Sequence, residues 1–132
     1  MFLNVTRREL DRAYAANMKA AGTSSGHPAS LLLFYGLECG LKALIMKERR
    51  ADITSELSPI AQIGHDLREC LKALGAPATL QLSSTNTKQQ TKQTVTNPML
   101  HQAFRYGVDL EDGTEIIAEL KKVHEWLINR MR

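Results

Sequence analysis

From Leu31 to Lys47 the chain reads LLLFYGLECGLKALIMK, apolar on nearly every side of a helix. A helix that is apolar all round belongs in the middle of a bundle. Glu38 and Lys42 interrupt the pattern four residues apart, one helical turn, and so share a face. An unpaired buried charge is very costly, so these two must pair with each other or with further polar groups. The pattern predicts a greasy central rod with a polar centre. The alternative is an exposed intrahelical ion pair worth about 0.3–0.5 kcal/mol, and the surrounding leucines argue against full exposure.

Other periodic stretches surround this rod. Thr6 and Glu9 have the spacing of a capping box, and Val5 and Leu10 stand where a hydrophobic staple would sit. Leu10, Tyr14, Met18 and Ala21 then form one apolar stripe, which Gly22 ends. His27-Pro28 opens the central helix, with Pro28 expected at its first position and the end near Arg50. Residues 51–63 read as a connector containing Pro59. Gly64-His65-Asp66-Leu67 begins a short helix capped by Asp66 with Glu69 three residues on, and Leu67, Cys70, Leu71 and Leu74 form its apolar face.

The composition changes between Ser83 and Asn97, where SSTNTKQQTKQTVTN holds one aliphatic residue, Val95. That segment is expected to add little to a core, as a long loop, a mobile lid or a small polar hairpin. Lys88 and Lys92 could meet phosphates from it; the blander reading is a solvated loop. Asn97-Pro98 starts another short helix with Asn97 as its cap, Leu100 and Phe104 on one face, and Arg105-Tyr106-Gly107 at its close. Asp112 and Glu115 are a capping pair for the last helix, where Ile116, Leu120, Val123, Leu127 and Met131 repeat as a stripe. The expected architecture is all-α, an up-and-down bundle of four to five helices forming a single domain over 1–132.

Composition narrows this picture only modestly. The length, 132 residues, suits one core, and a net charge of +3 is too small to establish nucleic-acid binding. Cys39 and Cys70 both fall inside predicted helices and read as reduced, buried small residues. The start MFLNVTRREL lacks the pattern of a signal peptide, and the uncharged run before Glu38 is shorter than the roughly 20 residues that cross a bilayer. A cytoplasmic protein without a membrane segment is the expectation.

Several residues are candidates for chemistry. Glu38 and Lys42 are the polar centre. His65 could be a general acid or base, since histidine titrates near neutrality, or could fix the start of its helix by a hydrogen bond. Arg105 beside Tyr106 could bind phosphate and stack on a base, or pair with an acid while Tyr106 packs at the edge. Gly36 and Gly40 make a flat strip for close helix packing within the chain or for a partner subunit. No pair of His or Cys has metal-finger spacing, and His124-Glu125 lacks the second His of a zinc-protease helix. No metal or cofactor is expected. Glycine-rich phosphate loops and a serine nucleophile elbow are also absent from the sequence.

The order FYGLECGLKALI, then GHDLRECLKAL, then FRYG before a long terminal helix resembles the HEPN superfamily, the nucleotide-binding domain of higher eukaryotes and prokaryotes. The resemblance covers roughly residues 5–130. It implies a four- or five-helix bundle, often a homodimer, with links to RNA or nucleotides in toxin–antitoxin or antiviral systems. Many such proteins are metal-independent ribonucleases carrying an Arg and a His with four to six residues between them. Here no Arg stands five to seven positions before His27, His65, His101 or His124. The resemblance without that pair implies a non-catalytic module binding RNA, a nucleotide or an operon-encoded partner such as a nucleotidyltransferase. Glu38, Lys42, His65, Arg105 and Tyr106 would line its site. Two alternatives are a divergent ribonuclease using His65 with Arg105 or Arg68, and a structural dimerisation subunit.

Overall fold

A computed structural model describes residues 4–51 and 64–132. Five α-helices are present among them: α1 (Arg7–Thr23), α2 (Gly26–Glu48), α3 (Leu67–Ala73), α4 (Leu100–Arg105) and α5 (Gly113–Met131). The fold is all-α apart from one small hairpin. Only α1, α2 and α5 are long, and α3 and α4 are struts of seven and six residues. The connector around Pro59 lies outside the described residues.

The centre is α2. Phe34, Leu37, Leu41, Ile45 and Met46 are essentially inaccessible, and α1, α3, α4 and α5 all pack on this helix. By length and composition it is also the one described helix that could cross a membrane, with half of its apolar window buried in the fold. The capping box at Thr6 and Glu9 forms in both directions. The stripe on α5 buries Ile116, Leu120, Val123 and Leu127, while Met131 emerges at the end.

The glycine strip is filled from within the chain. A β-carbon on Gly36 would meet the Met18 side chain, and one on Gly40 would lie 2.7 Å from Tyr14 and 2.8 Å from Leu127. The strip therefore seats α1 and α5, and the alternative of a partner subunit there is set aside. Across the same junction Tyr14 Oη and His124 Nε2 are 2.9 Å apart.

Helix ends depart from the sequence expectation in five places. Helix α1 runs through Gly22 to Thr23, and α2 begins at Gly26, so Pro28 is its third residue rather than its first. Proline is tolerated there because the first four N–H groups lack intrahelical partners anyway. Helix α2 stops at Glu48, short of Arg50, whose positive φ of 56° cannot continue a helix. Asn97 does not cap α4. Its Oδ1 accepts from the Leu67 N–H at 2.8 Å, so it caps α3 from across the fold while Asp66 takes the N–H groups of Arg68 and Glu69. Asp112 makes no side-chain cap on α5 and exchanges hydrogen bonds with Thr85 instead.

The polar segment is more embedded than its composition suggests. Strands β1 (Thr85–Asn86) and β2 (Thr94–Val95) pair antiparallel, and Thr87 bridges to Leu110. Thr85, Thr87, Val95 and Asn97 are buried, correcting the expectation that this stretch adds little to the core. Each buried threonine has a reason. Thr85 bonds Asp112, and the Thr87 hydroxyl accepts from Gln93 N–H. Lys92 pairs with Glu111 at the surface.

Candidate functional site

Two polar rows face each other in an otherwise apolar fold. On α2, Tyr35, Glu38 and Lys42 are spaced three and four apart and share a face. Opposite them Asn97, His101 and Arg105 repeat every four residues along a 3-10 turn (Asn97–Met99) and α4. The Gly64–Asp66 turn that starts α3 enters this seam and contributes His65.

Glu38 organises the seam. Its Oε1 lies 2.6 Å from His65 Nδ1, and its Oε2 accepts from Lys42 Nζ at 3.3 Å. Lys42 also donates to the Gly64 carbonyl at 2.7 Å. The side chains of Glu38 and Lys42 are only 14% and 15% exposed, so this is the paired polar centre inside the fold. Gly64 has φ of +61°, a backbone conformation suited to glycine, which turns its carbonyl onto the lysine. Thus α2 holds the turn at two points, and His65 has the helix-fixing role.

That bond also sets the chemistry of the ring. A carboxylate only accepts hydrogen bonds, so Nδ1 of His65 must carry a hydrogen. Nε2 is then the open nitrogen, an acceptor while the ring is neutral. The side chain is 43% exposed, which makes that edge reachable from solvent.

His101 lies behind it. Its ring stacks on His65 with centroids 4.0 Å apart and planes tilted by 37°, and Phe34 and Tyr35 flank it at 6.0 and 6.4 Å. The residue is 6% exposed, and its Nδ1 makes no hydrogen bond of good geometry among the described residues. Burial, then the charges of His65 and Arg105, push its pKa below the ordinary 6.5 against weaker pulls from the Pro98 carbonyl and Glu38. Arg105 closes the seam at the surface and donates to the Tyr35 hydroxyl. Its hydrogen bond to Tyr35 pushes the pKa of the guanidinium up.

Of the five residues singled out in the sequence, Glu38, Lys42 and His65 come into direct contact. Arg105 joins them through Tyr35. Tyr106 stands outside the seam, 70% exposed at the end of α4 and near Arg105 alone among the five. Arg68 lines a groove of about 570 Å³ with Lys72 and Ser83, and His65 is not part of that lining. Sequence reasoning missed Tyr35 and His101. The signal for Tyr35 was its place one turn before Glu38, and for His101 its place one turn before Arg105. Among the described residues no three His, Cys, Asp or Glu side chains cluster as metal ligands.

Comparisons with protein-family models, curated proteins and solved structures returned no match to this chain.

Proposed function

We propose that this chain is a HEPN-like helical module, non-catalytic, that binds single-stranded RNA or a nucleotide at the outer edge of the α2–α4 seam. One observation carries the reading: a guanidinium held on Tyr35, with an exposed aromatic ring next to it in sequence and the open edge of His65 behind it. An oriented guanidinium suits phosphate, and an exposed aromatic face suits a base. Glu38 and Lys42 serve by holding the turn rather than by touching the ligand. The prokaryotic defence setting, a homodimer and a nucleotidyltransferase partner belong to the same reading and rest on the sequence resemblance.

The second reading, a divergent ribonuclease, is favoured by the Glu38–His65 pair. A carboxylate that orients Nδ1 and leaves Nε2 open is the arrangement a general base needs. One experiment separates the two. End-labelled single-stranded RNA is titrated with the wild type, Arg105→Ala, Tyr106→Ala and His65→Ala at two salt concentrations, and the RNA is then run on a denaturing gel. The module reading expects intact RNA, binding that weakens with salt, and affinity lowered roughly tenfold by each of the first two substitutions, in line with about 1–3 kcal/mol per stacked base. RNA cleaved by wild type and spared by His65→Ala selects the ribonuclease. No binding at either salt overturns both.

A further inference from the structure

We propose that His101 is a proton-operated latch: when its ring takes up a proton it leaves its place between α2 and the Gly64–Asp66 turn, and α4 lifts away, carrying Arg105 off Tyr35. The consequence for a ligand rests on the function proposed above, but the latch itself does not.

From α2 the His101 ring meets Phe34, Tyr35 and the carboxylate of Glu38; from the turn before α3, His65; from its own helix, Arg105; and from the preceding 3-10 turn, the Pro98 carbonyl. The only acid in this set is Glu38, and both of its oxygens are engaged, one by His65 and one by Lys42. A proton on His101 would therefore create a buried charge beside the His65 ring at 4.0 Å and near a guanidinium, with no spare counter-ion among the described residues. Buried charges without partners are relieved by movement or by losing the proton. Helix α4 is six residues long and holds few backbone bonds of its own, but Leu100, Ala103 and Phe104 are buried, so the open form is a minor population that protonation enlarges.

The direction with pH follows. In the closed form His101 holds its proton less tightly than an open ring, whose ordinary value is 6.5. The open form thus binds more protons, so closure is fully stable above about pH 6.5 and weakens as pH falls through that value. The competing site is His124, also lowered by burial, but it lies at the α1–α5 junction against Tyr14.

Hydrogen exchange of the α4 amides tests this without any ligand, at pH 7.5 and 5.5, after correction for the intrinsic pH dependence of exchange. The expected result is that opening rises about tenfold in the wild type, as uptake of one proton requires. His101→Phe keeps a ring in the same space and removes the proton, so its α4 opening stays flat; His124→Gln keeps the rise. A flat wild type, or a His101→Phe that rises as the wild type does, overturns the latch. Should His101→Phe fail to fold, the C2–H resonances of the wild type decide: loss of α4 protection in step with His101 titration supports the latch, and His101 titrating while α4 stays protected overturns it.

Discussion

At the scale of single residues, Glu38 is the acid on which the interior polarity depends. It has two oxygens and, among the described residues, two partners, Lys42 and His65. Removing one member of a mostly buried pair costs more than the pair contributes, because the survivor is left charged and desolvated. Lys42→Met should therefore lower the unfolding free energy by about 2 kcal/mol, less than the roughly 3–5 kcal/mol of fully buried pairs because these side chains keep some access to water. Glu38→Gln should cost a similar amount, and the double variant clearly less than the sum, since it leaves neither charge stranded. Urea denaturation of the four proteins measures this coupling, and strict additivity would contradict it. The cysteines follow the same logic of burial: desolvation pushes the Cys39 thiol up to about 11 and Cys70 to about 12, but only Cys70 is buried as expected, and Cys39 is half-buried at the edge of the core.

At the scale of elements, α2 is held by close approach on one side and by polar clamps on the other. Gly40 lets the Tyr14 ring and Leu127 lie against the backbone of α2. Ala in its place would gain about 1 kcal/mol of helix propensity but drive a methyl into both neighbours, and overpacking of this kind costs about 1–3 kcal/mol. Tyr14 cannot swing aside without leaving His124, so the clash wins and Gly40→Ala should lower the melting temperature. Gly22→Ala, where nothing lies within 4 Å, should raise it slightly. Thermal melts of the two variants check the pair of signs. The elements themselves were legible because the rod, the α5 stripe and the Thr6–Glu9 and Asp66 caps are local patterns. Asn97 and Asp112 were misread for the converse reason. Each has the right local spacing to cap its own helix, but a distant donor or acceptor in the fold, Leu67 N–H for one and Thr85 for the other, takes its side chain instead.

At the scale of the whole molecule, the seam exists only because three stretches distant in sequence converge: Tyr35–Lys42, Gly64–Asp66 and Asn97–Arg105. Periodicity announces each row, and the capping signal announces the turn between them. Nothing in the sequence says that the two histidines meet, since stacking of His65 on His101 is set by how α4 lies on α2. Tyr106 lies outside the buried seam because it follows the last residue of α4, and its ring is left to solvent next to Arg105 in sequence. The burial of Thr85 and Thr87 was hidden too, because polar side chains enter a core only when specific partners satisfy them.

The arrangement of Glu38, Lys42 and His65 underlies the clamp, the exposed ring edge and the latch alike. Its most direct test is the tautomer of His65, read from the ring nitrogens by long-range proton–nitrogen NMR in the neutral form. The geometry predicts the hydrogen on Nδ1, lost from that position in Glu38→Gln if the amide presents its N–H₂ instead. A hydrogen on Nε2 in the wild type would contradict the account.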